Sequence, residues 1–154
     1  MEHLKPGTIL MADDDEDDRE LARKALEESR LPNKLRFVED GEELLDYLHR
    51  RGQYADPKNA PDPSLILLDL NMPRLDGRET LRVLKSHSAF RRIPVVVLTT
   101  SNTEEDILHS YDLGANSYII KPMTFEGLVE VMKVLDRHWF QLVALPAAVG
   151  AHEH

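Results

Sequence analysis

The sequence predicts an α/β fold in which a parallel sheet is covered by helices on both faces. Short apolar runs alternate five times with longer stretches of helical period. The third and fourth runs, LILLDL and IPVVVLTT, are continuously apolar, as expected of strands that are covered on both sides. Repeated strand–helix units of this kind are typical of a single parallel sheet. The predicted strands are Thr8–Ala12, Leu35–Val38, Leu65–Leu68, Ile93–Leu98 and Ser117–Ile120.

Three of the predicted helices have recognisable starts. Asp40 with Glu43 and Asp76 with Glu79 have the spacing of a capping box. Thr103 is followed by three acidic residues, which suit the positive end of a helix dipole. Since right-handed crossovers bring all the carboxyl ends of parallel strands to one edge, we expect a ligand site along that edge.

The length of 154 residues fits one domain, which we place at residues 7–140, followed by an apolar C-terminal arm at residues 141–154. The connection Gly52–Pro63 is longer than most loops, and it fits either a functional loop or a tolerated surface insertion. No DNA-binding segment follows the last predicted helix. We therefore expect the output to be a surface that a partner or a second copy reads.

Composition excludes several classes of protein. A net charge of −9 without a basic block argues against nucleic-acid binding. The absence of cysteine excludes a thiol nucleophile and disulfide bonds. Apolar runs are shorter than the roughly 18 residues of a membrane span, and the start lacks the apolar stretch of a signal peptide. We expect a cytoplasmic protein with no membrane association.

The residues at the ends of the predicted strands form a distinctive set. The first strand runs into Asp13 and Asp14, the third into Asp69, the fourth into Thr99 and the fifth into Lys121. Three carboxylates at one place repel unless a cation neutralises them. An all-oxygen ligand set, without histidine or cysteine nearby, favours Mg²⁺ or another hard ion. These groups predict a site for phosphoryl transfer.

Roles can be assigned from position. Asp69 stands alone after a buried strand and best fits the nucleophile, while Asp13 and Asp14 best fit the metal platform. The Thr99 hydroxyl could bond a phosphoryl oxygen. The acids of residues 15–18 are interpreted as a solvated helix start.

Four strings carry a family resemblance: ILMADDD, LILLDLNMPRLDG, VVVLTTS and GANSYIIKP. In this order and spacing, from about Gly7 to Phe140, they resemble the response-regulator receiver domains of two-component signalling. The resemblance implies a flavodoxin-like (βα)5 three-layer α/β sandwich with strand order 2-1-3-4-5. It also implies a non-enzymatic signalling protein that accepts a phosphoryl group from a sensor histidine kinase and loses it by slow self-dephosphorylation.

The resemblance assigns functional residues by position. Asp69 would be the phosphoacceptor, Thr99 and Tyr118 the switch pair, and Lys121 the family's lysine, followed by a cis bond to proline. The Mg²⁺ ligands would be three carboxylates and one backbone carbonyl: Asp13, Asp14, Asp69 and, through its carbonyl, Asn71.

A closer resemblance is to the small regulators paired with bacterial phytochromes. The long loop at residues 52–63, the strings DGRE and RIPVVVLTTS, and the ending HWFQLVALPAA carry it. It implies a bacteriophytochrome as the kinase. It also implies a homodimer formed through the C-terminal arm and the face of the fourth helix, fifth strand and fifth helix.

The alternative is a Mg²⁺-dependent phosphatase of the haloacid-dehalogenase type, which also uses an aspartate nucleophile at a strand end. Its motif DxD has a second acid, but Asn71 occupies that position here, so the general acid is absent. A nucleotide-binding protein is a third option, but neither GxxxxGK[ST] nor GxGxxG occurs. Turnover of small phosphate esters would separate the phosphatase from the regulator.

Overall fold

The computed structural model describes residues 7–142, with the side chains of residues 7–139. Its strands are β1 (Thr8–Ala12), β2 (Lys34–Val38), β3 (Pro63–Leu68), β4 (Val95–Thr99) and β5 (Ser117–Ile120). Its helices are α1 (Glu16–Glu28), α2 (Gly41–His49), α3 (Gly77–Ser86), α4 (Glu104–Asp112) and α5 (Phe125–Asp136). A π-helical segment, Arg137–Leu142, follows α5.

All five strands are parallel and form one sheet in the order β2-β1-β3-β4-β5. The predicted flavodoxin-like fold and its strand order are confirmed. None of the helices within residues 7–142 has both the length and the apolar character needed to cross a membrane.

The sheet has an apolar core on each face because successive side chains of a strand point to opposite sides. In β3, Leu65 and Leu67 pack in the core that includes α1 and α5. Ile66 and Leu68 pack in the other core, with α2 and α3. All four side chains are at most 1% exposed. The continuous apolar runs in the sequence therefore reflect burial on both faces.

The predicted helix starts are confirmed. The side chains of Asp40, Asp76 and Thr103 each accept a hydrogen bond from the backbone N–H three residues later, at 2.8, 3.0 and 3.2 Å. Asp15 caps α1 in the same manner, accepting from the backbone N–H groups of residues 17 and 18. Because each of these helices follows a strand, their N-termini gather at the carboxyl edge of the sheet.

Three strands differ from the prediction in their bounds. β2 and β3 begin one and two residues earlier than predicted, at Lys34 and Pro63. β4 begins at Val95 rather than Ile93, because Pro94 has no N–H to donate to the ladder. It ends at Thr99 rather than Leu98, since the Thr99 carbonyl accepts the Lys121 N–H at 2.7 Å.

The Lys121–Pro122 peptide bond is trans, because the described residues contain no cis peptide bond. The cis bond implied by the family resemblance is wrong for this structure. A bond before proline prefers trans by only about 0.5–1 kcal/mol. The dipeptide itself therefore does not select the isomer.

The long connection between α2 and β3 is packed against α2. It contains two short 3-10 turns, Gly52–Tyr54 and Pro57–Asn59. The Tyr54 hydroxyl donates to Glu43 Oε2 at 2.5 Å, and Ala60 is buried. Since the connection joins the end of a helix to the start of a strand, it lies at the opposite edge of the sheet from the strand ends that carry the predicted site.

Candidate functional site

The carboxyl edge of the sheet brings the predicted acids together. Asp13 follows β1 and Asp69 follows β3, and these two strands are neighbours. The Asp69 N–H donates to the Ala12 carbonyl at 3.0 Å, so the pairing of the two strands continues into the site. The backbone ladder thereby fixes the separation of the two carboxylates.

Three carboxylates form a cluster that could hold a metal ion. One oxygen from each of Asp13, Asp14 and Asp69 lies within 4.8 Å of the others. Asp13 and Asp69 are buried, whereas Asp14 is exposed and leaves the cluster open to solvent. The donors are all carboxylate oxygens, which are the ligands that hard divalent cations prefer. The residues present therefore fit a divalent ion.

Lys121 supplies a positive charge at the same point. Its Nζ donates to Asp13 Oδ2 at 2.7 Å, to Asp18 Oδ2 at 2.6 Å and to Asp69 Oδ2 at 3.3 Å. Burial alone would lower the pKa of Lys121, but the hydrogen bonds with Asp13 and Asp18 and the charges of Asp13 and Asp69 outweigh it, so the pKa is raised. The ammonium therefore stays charged at neutral pH.

Asp13 lies in surroundings that disfavour its charged form. Burial raises its pKa more than the hydrogen bonds from Lys121 and from the Asp15 N–H lower it, and the nearby charge of Asp69 raises it further. The ionised form of Asp13 therefore lowers the stability of the folded state relative to the protonated form. A bound divalent cation would offset this loss of stability.

Asp18 belongs to the site, although the sequence placed it in a solvated helix start. Asp15 does cap α1, as that interpretation expects, but Asp18 points back from the first turn to Lys121. The position of Asp18 follows from the topology of the sheet, which the sequence interpretation did not apply to this residue. Since α1 begins at the carboxyl edge, an acid in its first turn lies beside the strand ends.

Gly77 allows α3 to approach Asp69 closely. Its N–H donates to the Leu70 carbonyl at 2.9 Å. A Cβ atom at this position would lie 2.0 Å from the Asp69 carbonyl oxygen, which is far inside van der Waals contact. The Asp–Gly pair in the string RLDG therefore combines a helix cap with the close approach that seats Asp69.

Asn71 follows Asp69 by two residues and is exposed. Its N–H donates to Asp69 Oδ1 at 3.4 Å, a long bond that ties the loop to the carboxylate. Its side-chain oxygen accepts from Arg78 Nη1 at 3.4 Å. These two contacts orient the backbone immediately after Asp69.

Thr99 and Tyr118 are joined through a residue that the sequence did not single out. Thr99 is fully buried at the end of β4, and its hydroxyl lies 3.5 Å from the Ser101 N–H. The Tyr118 hydroxyl donates to the Ser101 carbonyl at 2.9 Å. Burial is the main cause that raises the pKa of Tyr118. Both predicted switch residues therefore contact the start of the loop between β4 and α4.

Comparison with known proteins identifies the family. The response regulator receiver domain family matches residues 9–133. Response regulator Rcp1 of Synechocystis sp. is 39% identical over 143 residues, which cover 93% of this chain and 95% of Rcp1.

Solved structures agree with this assignment. The phosphorylated cyanobacterial phytochrome response regulator RcpA is 43% identical, with a TM-score of 0.83 over 92% of this chain and 99% of RcpA. Response regulator RPA3017, from red light signaling of R. palustris, is 38% identical, with a TM-score of 0.86 over 91% of this chain and 98% of that protein. A structure of Rcp1 in its Mn²⁺-bound form has a TM-score of 0.80 at 38% identity, over 92% of this chain and 99% of Rcp1.

These comparisons give no support to the haloacid-dehalogenase alternative. The acidic cluster, the lysine and the strand order all occur within the matched residues 9–133. The chain belongs to the response regulator receiver domain family, and it is a signalling protein of the two-component type.

Proposed function

We propose that Asp69 accepts a phosphoryl group from a sensor histidine kinase. The observation that supports this most strongly is the convergence of Asp13, Asp14 and Lys121 on the Asp69 carboxylate. Asp69 has a cation within 3.3 Å and two neighbouring acids that can hold a second one. A transferring phosphoryl group needs that positive charge around its oxygens.

The transfer is a displacement at phosphorus. An oxygen of the Asp69 carboxylate forms a bond to phosphorus while the bond between phosphorus and the donor's imidazole nitrogen breaks, and the imidazole leaves with the electron pair. Lys121 neutralises charge on the phosphoryl oxygens. The Thr99 hydroxyl donates to one of these oxygens after transfer.

Mg²⁺ is the proposed cofactor. Asp13, Asp14 and Asp69 would hold it, together with the backbone carbonyl of Asn71. When bound, the ion supplies positive charge to the oxygens of the transferring group. The Mn²⁺-bound form of Rcp1 supports a divalent ion in a relative of this chain. Magnesium keeps most of its water, so weak binding in the resting protein is expected.

The kinase must dock at the carboxyl edge to reach Asp69. Two exposed apolar side chains, Leu21 and Met123, line a cavity of about 320 Å³ that also includes Lys121. This cavity lies between α1 and the connection from β5 to α5. It offers an apolar contact beside the phosphoacceptor. Because RcpA is a phytochrome response regulator and RPA3017 acts in red light signaling, we propose that the kinase is a bacteriophytochrome and that this chain receives the phosphoryl group in the cytoplasm.

The output is proposed to be a surface change. A phosphoryl oxygen that draws in Thr99 would alter the Ser101 loop and hence Tyr118. The adjoining face of α4, β5 and α5 carries four exposed apolar side chains that suit a second copy of the chain: Leu108, Tyr111, Ile120 and Val134. We propose that this face and the C-terminal arm at residues 141–154 form a homodimer. Most of the arm, residues 143–154, lies outside the described residues.

Acetyl phosphate with Mg²⁺ tests the assignment of Asp69. Intact mass spectrometry should show one added phosphoryl group on the wild-type chain and none on Asp69→Asn. Asp112→Asn, which changes an exposed acid at the end of α4, is the matched control and should be labelled like wild type. A phosphoryl group on the Asp69 variant would contradict the assignment of Asp69. Undiminished labelling of wild type in EDTA would contradict the requirement for Mg²⁺. Transfer from a purified bacteriophytochrome, compared with other histidine kinases, tests the partner.

A further inference from the structure

An ion pair joins α3 to α4 beside the phosphoacceptor loop. Arg78, the second residue of α3, donates from Nε to Asp106 Oδ1 at 3.1 Å and from Nη2 to Asp106 Oδ2 at 2.9 Å. This bidentate geometry is the strongest arrangement available to an arginine and a carboxylate. The side chains are 30% and 17% exposed, whereas those of the Arg82–Glu79 pair one turn further along α3 are 54% and 46% exposed. The pair is therefore partly shielded from solvent.

The arginine also contacts the two residues that follow Asp69. Its Nη1 lies 3.4 Å from Asn71 Oδ1 and 3.5 Å from the Leu70 carbonyl oxygen. Both contacts are long, but they come from a guanidinium that Asp106 already holds in place. Arg78 thereby restrains the backbone whose Asn71 carbonyl is the proposed metal ligand.

The aspartate connects to the other side of the site. Asp106 Oδ2 accepts the Ser101 hydroxyl at 2.6 Å, and its N–H is capped by Thr103. The Ser101 carbonyl in turn accepts the Tyr118 hydroxyl. Arg78 and Ser101 lower the pKa of Asp106 to about 2, so this carboxylate is charged throughout the neutral range. An unbroken set of contacts thus runs from the Asp69 loop to α4 and β5.

We propose that Arg78 and Asp106 are positioning residues that couple divalent-cation binding after Asp69 to the conformation of α4. In this arrangement, Arg78 fixes Leu70 and Asn71 for the ion, and Asp106 transmits any shift of the loop to the first turn of α4. This inference rests on the proposed metal site and adds the two residues through which that site reaches the output face.

The variants are chosen so that charge and position can be separated. Arg78→Lys keeps the positive charge but loses the planar fork that bonds Asp106 and Asn71 together. A change in metal affinity in this variant cannot come from a lost charge. Asp106→Asn keeps the shape of the side chain while removing the charged acceptor. Arg82→Lys, on the exposed part of α3, is the matched control.

Two measurements test the coupling. Isothermal titration with MgCl₂ alone gives the dissociation constant, and amide exchange of α4 with and without Mg²⁺ gives the transmitted response. Loss of a residue that orients a metal ligand typically weakens metal binding by about 10- to 100-fold. Because the contacts of Arg78 with Leu70 and Asn71 are long, we expect the lower end of this range, about a tenfold rise in the dissociation constant for Mg²⁺, in Arg78→Lys. The Mg²⁺-dependent change in exchange at Glu104–Asp112 should disappear in both variants and persist in Arg82→Lys.

The double variant shows whether the two residues act as a unit. Arg78→Lys combined with Asp106→Asn should weaken Mg²⁺ binding little more than either change alone, because residues in one network are not additive. Urea unfolding without metal separates a loss of stability from a loss of coupling. The inference is overturned if both single variants bind Mg²⁺ within twofold of wild type. It is also overturned if amide exchange of α4 still responds to Mg²⁺ in these variants. A wild-type chain that binds no Mg²⁺ would instead overturn the proposed metal site and this inference with it.

Discussion

Replacing Lys121 with methionine removes the ammonium that three carboxylates share. The volume of the side chain is nearly kept, so the main change is in charge. Asp13 and Asp69 would then face each other without that neutralising group, with Asp13 fully buried. We expect Lys121→Met to be less stable than wild type in the absence of divalent ions.

The magnitude follows from the burial of the partners. Removing one member of a buried ion pair costs about 3–5 kcal/mol, because the other charge stays uncompensated. Asp13 has no exposed side-chain surface, whereas the Asp18 side chain is 34% exposed and can be solvated when the lysine is lost. We therefore expect the low end of that range, about 3 kcal/mol. With a urea dependence of about 2 kcal/mol per molar, the unfolding midpoint would fall by about 1.5 M.

Magnesium and pH provide the discriminating tests. Mg²⁺ should reduce the difference in unfolding free energy between Lys121→Met and wild type, because in the variant the ion does not share the carboxylates with an ammonium. Lower pH should reduce that difference too, because protonation of Asp13, whose pKa is raised by burial, removes a charge that Lys121 neutralises. Urea unfolding monitored by circular dichroism, with and without Mg²⁺, measures both effects. Lys133→Met, at an exposed ion pair on α5, is the control and should change little. A metal-free Lys121→Met protein as stable as wild type would refute the reasoning.

The remaining predictions concern other parts of the chain. Asp13→Asn should raise the melting temperature without metal, because burial raises the pKa of Asp13 and disfavours its charged form, while Lys121 keeps Asp18 and Asp69 as partners. The same change should weaken Mg²⁺ binding in calorimetry. Thr99→Ala should still accept a phosphoryl group in mass spectrometry, but amide exchange at Glu104–Asp112 should no longer respond. The pKa of Asp106 is lowered from 3.8 to about 2, so the stability that its ionised form contributes is present above pH 3.8 and is lost as the pH falls toward 2; the difference in unfolding free energy between wild type and Asp106→Asn should close over that window, and a difference independent of pH would contradict it. Light scattering behind a sizing column should find a dimer for the full chain and a monomer for a version ending at Phe140. If both versions are monomers at roughly tens of micromolar, the C-terminal arm does not form a dimer.

The sequence predicted those site residues whose positions follow from the order of strands. Asp13, Asp69, Thr99 and Lys121 each end or follow an apolar run, and a parallel sheet brings such residues to one edge. That inference needs only the pattern and the handedness of the crossovers. No precise packing is required. The helix starts were predictable for a similar reason, since a cap bonds to a backbone N–H only three residues away.

The residues that were missed depend on packing between distant parts of the chain. Asp18 was adequately explained by the helix dipole, and its lysine partner is 103 residues away. Arg78 and Asp106 are 28 residues apart on two helices, and they meet because α3 and α4 begin at the carboxyl ends of the neighbouring strands β3 and β4. Either residue alone is an ordinary charged position on a helix. A pattern along the chain cannot show which exposed charges on separate helices pair.

The buried charge of Asp13 affects how this protein would respond to selection for stability. In metal-free buffer, the carboxylate that the proposed activity requires is one that folding disfavours. A screen for heat-resistant variants under those conditions would enrich replacements of Asp13 and discard the metal site. The same screen in excess Mg²⁺ would penalise them, because the ion then contributes to folding through that carboxylate. The choice of buffer would determine whether laboratory evolution keeps or removes the site.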